Sequence, residues 1–260
     1  MANVNEIPSL TNSAVDMVRS WTDPDPSPKR LARPLLILTA MIACTNALAA
    51  QSPTPAAEWA GLSRYREENA KLPPPEGDRV VFMGNSITEG WAPHFPDLFP
   101  GKPYIGRGIG GQTTPQMLVR FRQDVIALRP KVVVILAGTN DIAGNTGPAT
   151  LEEIQGNLAS MAELAQANGI RVVLCSVLPV FDYPWRPGLE PSPRILAVNA
   201  WMRRYATERN AVYVDLHSAM EDERHGMKAD LAYDGVHPSE AGYRLMAPLV
   251  EQGIAAAMRD

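Results

Sequence analysis

The chain has 260 residues, of which 45% are hydrophobic and 20% are charged, and its formal net charge is -4 at pH 7. This acidic balance, without a dense basic patch, gives nucleic-acid binding no electrostatic support. The length suits one compact catalytic domain preceded by shorter segments, and leaves no room for a second one.

The first 49 residues have the features of an export signal preceded by a long polar extension. Basic residues at 29–33 precede an apolar stretch at 35–43, and residues 47–49 (Ala-Leu-Ala) have the small-x-small pattern of a signal-peptidase site. We therefore expect an exported protein, periplasmic or secreted, with no stable membrane insertion after cleavage. Two alternatives stay open: an uncleaved N-terminal anchor, and a lipoprotein attached through Cys44.

Residues 50–77 combine a linker rich in proline and alanine with a predicted helix over Ala56–Lys71, which the proline run at 73–75 ends. We expect this helix to pack against the domain formed by residues 78–260. Trp59 and Tyr65 would then be core contacts.

From residue 78 onward, apolar runs alternate with amphipathic stretches. This pattern is expected of an α/β domain in which helices cover a parallel sheet. The predicted strands cover 80–83, 132–137, 172–177 and 212–214, with a short extended segment around 104–105, and the predicted helices cover 115–129, 150–168, 193–209 and 239–258.

Ser86 follows the carboxyl end of the first predicted strand, Val80–Met83. In open α/β sheets, ligands and reactive groups gather beyond the carboxyl ends of the strands. A serine is a poor nucleophile unless a neighbouring base accepts its proton. The position of Ser86 therefore predicts a nucleophile if a base and a carboxylate lie nearby.

A glycine cluster at 106–111 formally matches the dinucleotide-binding pattern G-x-G-x-x-G. That site also requires a firm preceding strand and an acidic residue about 20 positions further on. Residues 128–131 contain no acidic residue, so we reject a dinucleotide site. Gly110 and Gly111 are instead predicted to present backbone N–H groups to a developing negative charge. A tight loop that needs positive φ explains the glycines equally well.

Asn140 follows the predicted strand Val132–Ala137, whose six consecutive apolar residues are typical of a parallel strand buried on both faces. Its side-chain amide could donate to an oxyanion at the same edge of the sheet. Asn-Asp pairs are also common in ordinary turns.

Asp234 and His237 lie three residues apart, and Gly235 lets the backbone turn between them. A carboxylate can hold an imidazole in one tautomer, so that the imidazole accepts a proton from a serine such as Ser86. An isolated D-x-x-H is often a solvated turn. Together with the preceding features, however, it predicts a Ser-His-Asp hydrolase.

Four segments, at 84–88, 107–114, 138–141 and 234–238, resemble in order the four blocks of the SGNH (GDSL-like) hydrolase family. The short gap between the first two blocks resembles the platelet-activating-factor acetylhydrolase-like branch. The resemblance covers roughly residues 78–260. It implies a flavodoxin-like three-layer α/β/α sandwich with a parallel central sheet, and ester hydrolysis without metal or cofactor.

The resemblance also implies a role for each matched residue. Ser86 matches the nucleophile, and its N–H matches the first donor of the oxyanion hole. Gly111 matches the second donor and Asn140 the third. His237 matches the base, and Asp234 the carboxylate that orients it.

Two positions depart from the family's pattern. Asn85 and Gln112 stand where the family's first two blocks often have aspartate. Neither departure removes a proposed catalytic group.

Tyr183 and Trp185, in the loop at 181–187, are candidate substrate contacts, because their rings could stack on a sugar or line an acyl pocket. Trp91, shortly after Ser86, is a third candidate. A proline-stiffened loop that packs on itself is the alternative. The histidines at 94, 217 and 225 lack metal-ligand spacing, so we expect no metal site.

We expect a serine esterase that acts through an acyl-enzyme on short acyl esters, acetyl to butyryl, of small molecules or glycans, with carbohydrate O-acetyl esters as one option. One alternative is a lysophospholipase or thioesterase that acts on longer chains. Another is a noncatalytic glycan-binding or acyl-transfer accessory protein. The sequence leaves the oligomeric state open.

Overall fold

The structure is a computed structural model that describes residues 55–75 and 77–259. The export signal predicted within residues 1–49 lies outside the described residues, as do its two alternatives. No helix in the described part of the chain is both long and apolar enough to cross a membrane.

A sheet of five parallel strands forms the centre of the domain: β1 (Val80–Gly84), β2 (Tyr104–Gly108), β3 (Val132–Leu136), β4 (Arg171–Cys175) and β5 (Val212–Val214). Their order in the sheet is β2-β1-β3-β4-β5. This is the flavodoxin-like order, in which ligands bind at the switch point between β1 and β3.

Helices cover both faces of the sheet and give the expected three layers. The helices are α1 (Pro55–Ala60), α2 (Arg66–Lys71), α3 (Ser86–Trp91), α4 (Phe95–Leu98), α5 (Thr114–Asp124), α6 (Thr139–Ile142), α7 (Leu151–Ala167), α8 (Ser192–Glu208), α9 (His217–Met220) and α10 (Glu240–Arg259), with 3-10 turns at Ala92–His94 and Ile126–Leu128.

Alternate residues of β1 enter different cores: Val81 and Met83 pack with α5, α7 and α8, whereas Val80 and Phe82 pack with α3, α4 and α10. Burial on both faces explains the unbroken apolar runs of β1 and β3.

The prediction of one continuous helix over Ala56–Lys71 is wrong. The segment forms two short helices, α1 and α2, with a turn between them. Gly61 begins this turn with φ +66°, a conformation that ends a helix and favours glycine. Tyr65 is buried as expected, and its hydroxyl donates to the Gly108 carbonyl. Trp59 is 45% exposed, so its predicted place in the core is wrong.

The remaining predicted boundaries differ by a few residues. The short segment predicted around 104–105 extends as β2 to Gly108. The helix predicted over 115–129 ends as α5 at Asp124, and a separate 3-10 turn follows. Both β3 and β4 end slightly before their apolar runs do, so the last apolar residues lie at the edge where the site forms.

Candidate active site

Ser86 is the first residue of α3 and lies just beyond the end of β1. Asn85 caps the helix, because its side-chain oxygen accepts a hydrogen bond from the Ile87 N–H at 3.0 Å. A Cβ on Gly84 would lie 2.0 Å from Thr88 Oγ1 and 2.7 Å from the Leu136 carbonyl oxygen, so only glycine fits this close turn. The amide of Asn85 thus supplies the capping oxygen at a position where the family often has a carboxylate.

Ser86, His237 and Asp234 form one hydrogen-bonded chain. The Ser86 Oγ lies 2.9 Å from His237 Nε2, and His237 Nδ1 lies 2.7 Å from Asp234 Oδ2. An ionised carboxylate can only accept, so Nδ1 carries the proton and Nε2 is left to accept from the serine hydroxyl. The structure therefore brings together three side chains that lie up to 151 positions apart in the sequence.

The turn at 234–237 fixes the carboxylate of Asp234. Its Oδ1 accepts hydrogen bonds from the N–H groups of Val236, at 2.9 Å, and His237, at 2.7 Å, while Gly235 has φ +82°. Partial burial by itself would raise the pKa of Asp234. The hydrogen bonds from His237 and Val236 outweigh burial and hold that pKa below its ordinary value. The carboxylate is therefore ionised when it faces the imidazole.

Gly111 and Asn140 line the same cavity as Ser86 and His237, and the volume of this cavity is about 690 Å³. Gly111 has φ +75°, and the Asn140 Nδ2 donates to the Gln112 carbonyl at 2.9 Å. An amide nitrogen carries two N–H bonds, so this contact leaves the second one for another acceptor.

The Gly110 N–H is not available to the cavity in the way that the sequence suggested. It donates to Glu89 Oε2 at 2.8 Å, because the carboxylate of α3 lies next to the glycine loop. Gly111 is thus the glycine of the pair whose backbone faces the cavity.

Gln112, the second departure from the family's pattern, connects the glycine loop to a buried polar network. Its Oε1 accepts from Arg120 Nε at 2.6 Å, and its Nε2 donates to the Ala60 carbonyl at 2.8 Å. Arg120 also donates to Asp124 Oδ2, at 3.1 Å, and to the Gly84 carbonyl, at 2.9 Å. The network therefore connects the end of β1, just before Ser86, with the glycine loop that carries Gly111.

Two of the three aromatic candidates for substrate binding are buried, and their interpretation as substrate contacts is wrong. Trp91 has no exposed surface and stacks on Tyr243 at a centroid distance of 5.7 Å. Tyr183 has none either, and its hydroxyl donates to the Thr139 carbonyl at 2.9 Å. Both rings pack in the interior because large aromatic groups gain most from burial.

Trp185 is the one aromatic candidate that lines the cavity. It is 46% exposed, and its ring centroid lies 6.2 Å from that of His237. Its Nε1 donates to Asn145 Oδ1 at 3.2 Å.

The structure adds residues that the sequence did not single out. Tyr233 is 72% exposed and stacks on His237, with the centroids 5.6 Å apart and the ring planes at 14°. Gly144, Asn145 and Arg186 line the cavity. Two signals could have pointed to them: Tyr233 immediately precedes Asp234, and Gly144 and Asn145 closely follow the Gly-Thr-Asn-Asp segment.

Comparisons with known proteins found a matching family model and several relatives of this chain. The GDSL-like lipase/acylhydrolase family model matches residues 82–245. An acetylxylan esterase of Geobacillus stearothermophilus is 24% identical over 207 residues, covering 66% of this chain and 91% of that protein. Platelet-activating factor acetylhydrolase IB subunit alpha1 of Bos taurus is 29% identical over 212 residues, covering 75% of this chain and 84% of that protein.

A solved structure, that of a GDSL-like lipase from Bacteroides thetaiotaomicron, superposes with a TM-score of 0.74 at 47% identity. The superposition covers 76% of this chain and 99% of that one. The residues matched by the family model include Ser86, Asn140, Asp234 and His237.

Proposed function

Since this chain belongs to the GDSL-like lipase/acylhydrolase family and is a carboxylic-ester hydrolase, we propose that it hydrolyses short acyl esters through an acyl-enzyme formed on Ser86. The observation that carries the proposal is the 2.9 Å contact between Ser86 Oγ and His237 Nε2. An aligned base at this distance is what makes a serine hydroxyl nucleophilic.

In the first half-reaction, Ser86 Oγ attacks the carbonyl carbon of the ester while its proton passes to His237 Nε2. The N–H groups of Ser86 and Gly111 and the side-chain amide of Asn140 stabilise the negative charge on the carbonyl oxygen. The tetrahedral intermediate then expels the alcohol, whose oxygen takes the proton from Nε2, and the acyl group remains on Oγ. Asp234 stabilises the imidazolium while it exists.

In the second half-reaction, water attacks the acyl carbon and gives a proton to His237 Nε2. The same donors stabilise the second tetrahedral intermediate. Its collapse breaks the bond to Ser86 Oγ, which regains the proton, and the carboxylic acid leaves.

Three observations support a short acyl group carried by a polar alcohol. The cavity is lined by Gly, Asn, Ser, His and Arg with a single large apolar ring, that of Trp185, which gives a long alkyl chain little to pack against. Exposed aromatic faces can stack on sugar rings, and those of Trp185 and Tyr233 lie next to His237. The names of the two curated relatives both refer to acetyl groups. We therefore favour acetyl esters of carbohydrates.

Hydrolysis of nitrophenyl esters from acetyl to dodecanoyl tests this proposal. We expect the rate to peak at acetyl or butyryl and to vanish in Ser86→Ala, while Ser63→Ala, a change at an exposed serine outside the cavity, serves as the matched control. A long-chain optimum would favour a lysophospholipase or thioesterase. No hydrolysis by a folded wild-type protein would favour a noncatalytic accessory protein.

Export to the periplasm or beyond the cell belongs to the same proposal, and it rests on the signal-like pattern of residues 1–49. N-terminal sequencing of the protein recovered from its own cells tests it. A mature chain that begins at Ala50 supports cleavage, whereas an intact N-terminus or a lipid-modified Cys44 supports one of the two alternatives.

A further inference from the structure

Arg186 is held in a fixed position on the wall of the active-site cavity. Its Nη1 donates to the carbonyl oxygens of Ala143 and Gly144, both at 3.0 Å. A Cβ on Gly144 would lie 2.6 Å from this nitrogen, and the residue has φ +72°, a conformation that favours glycine. The guanidinium is therefore anchored through one nitrogen.

The charge of Arg186 has no counterion within the described part of the chain. None of the ion pairs formed there involves this residue. The described residues that line the cavity include no acidic side chain, and the anchoring contacts use Nη1 alone, so Nε and Nη2 remain as donors. A guanidinium keeps its charge at any pH at which proteins are folded, and its planar fork binds carboxylates and phosphates through paired hydrogen bonds.

Two residues that line the cavity beside Arg186 contact other parts of the site. Asn145 accepts a hydrogen bond from Trp185 and donates through Nδ2 to the Gly111 carbonyl at 3.1 Å. The indole of Trp185, next to Arg186 in the chain, lies beside His237, which returns a proton to the departing alcohol. Arg186 therefore lines the same cavity as Gly111 and His237.

We propose that Arg186 forms an anion subsite for the alcohol half of the substrate, so that the preferred esters carry a carboxylate or phosphate on the alcohol. The charge belongs to the alcohol half because a short alkanoyl group carries none. This inference rests on the proposed hydrolysis of short acyl esters. It narrows the substrate class to acetylated sugar acids or sugar phosphates.

Matched substrates provide the test. Acetate release is followed from an O-acetylated methyl glucuronoside, from the equally acetylated methyl glucoside, and from the equally acetylated methyl glucoside 6-phosphate. These three compounds differ at C6 alone. The value of kcat/KM is measured for the wild-type protein, for Arg186→Gln and Arg186→Lys, and for the control Arg204→Gln, which removes an exposed arginine of α8 outside the cavity.

We expect the wild-type protein to prefer one anionic substrate over the neutral one by about tenfold or more, as one charge-assisted contact supplies. The anionic group that is preferred, carboxylate or phosphate, shows which class of sugar the subsite binds. Arg186→Gln should bring the ratio close to one, Arg186→Lys should keep part of the preference, and Arg204→Gln should keep all of it. The preference should also fall as salt is raised.

Two results with these substrates would overturn the subsite: no anionic preference in the wild-type protein, or an unchanged preference in Arg186→Gln. A third would be a kcat/KM that depends on Arg186 for nitrophenyl succinate instead, because this ester carries its charge on the acyl half. Loss of fold in Arg186→Gln leaves the wild-type ratio and Arg186→Lys as the deciding measurements. Failure of the wild-type protein to hydrolyse nitrophenyl acetate would instead contradict the proposed function.

Discussion

The Asn140 side chain donates to the Gln112 carbonyl across 2.9 Å and thereby joins α6, the short helix after β3, to the glycine loop after β2. The bond orients the Asn140 amide, so its second N–H has a defined position at the cavity. Gln112 is in turn held by the buried Arg120. The positions of the two proposed oxyanion donors, Gly111 and Asn140, are therefore coupled to each other and to the hydrogen bond between Gln112 and Arg120.

Replacing Asn140 with Ala is expected to lower kcat for nitrophenyl acetate about 100-fold or more, because a donor to the developing oxyanion is lost. KM should change much less, since the donor acts mainly in the transition state. Steady-state kinetics measure both values. Asn168→Ala, at the exposed end of α7, is the control, and an unchanged kcat in Asn140→Ala would remove this residue from the mechanism.

Replacing Asp234 with Asn is expected to lower kcat about 10⁴-fold, because an amide can donate to Nδ1 of His237 and stabilise the wrong tautomer. The exposed Asp230, changed to Asn in the same segment, is the matched control. A loss below tenfold, measured on correctly folded protein, would show that Asp234 does not orient the imidazole.

The acid side of the pH profile is expected to follow a single proton. The base must be neutral to accept the serine proton, and the pKa of Asp234 is held below its ordinary value, so this carboxylate stays ionised and adds no second proton to the profile. Activity should therefore rise with pH, with a slope of one in a plot of log kcat/KM against pH. A flat profile between about pH 5 and 8, or a slope of two, would contradict the assigned base.

Breaking the buried ion pair of Arg120 and Asp124 is expected to lower the unfolding free energy much more than breaking an exposed ion pair does. Both side chains have no exposed surface, so Arg120→Ala leaves a buried carboxylate without its counterion and should cost about 3–5 kcal/mol of unfolding free energy. The exposed pair of Arg203 and Asp215 provides the contrast: Arg203→Ala should cost less than about 1 kcal/mol. Urea denaturation measures both, and equal costs would contradict the assignment.

The stability of the protein is expected to fall as pH rises through the titration of Asp141. Burial raises the pKa of this carboxyl to about 6, against the opposing hydrogen bonds from Thr114. The folded state therefore holds the proton more tightly than the unfolded chain, and its stabilising effect, present below pH 3.8, is lost as pH approaches 6. The loss amounts to about 3 kcal/mol.

Comparison of the wild-type protein with Asp141→Asn isolates this effect from the other carboxylates. The unfolding free energy of the variant, measured from about pH 4 to pH 7, should decline less over this interval than that of the wild-type protein. Identical pH dependence in the two proteins would show that Asp141 does not titrate in this range.

The sheet could be predicted because its strands are buried on both faces. Continuous apolar runs such as Val80–Met83 are typical of strands buried on both faces, and helices between successive strands favour parallel strands. The break between α1 and α2 was missed because Gly61 is a single residue inside a weak helical pattern.

The site was only partly predictable. Ser86, Asn140 and His237 follow turns whose residue types are distinctive, and the structure brings them to one cavity. The sequence shows that Trp91 and Tyr183 are aromatic but not that neighbouring helices and loops enclose them. Such environments depend on contacts between distant segments.

The same limit applies to the cation in the cavity. The contact between Arg186 and Gly144 spans 42 positions, and no local sequence pattern predicts it. The stacking of Tyr233 on His237 could have been suspected from its place beside Asp234, yet its ring orientation required the fold.

The most direct test of the central claim is to locate the covalent adduct formed with diethyl 4-nitrophenyl phosphate, which traps activated serines, by peptide mass spectrometry. We expect one diethylphosphoryl group, on the peptide that contains Ser86, and none on the same peptide from Ser86→Ala. In His237→Ala the adduct should form far more slowly, because the base is absent. An adduct on another residue, or ester hydrolysis that persists in Ser86→Ala, would contradict catalysis by Ser86.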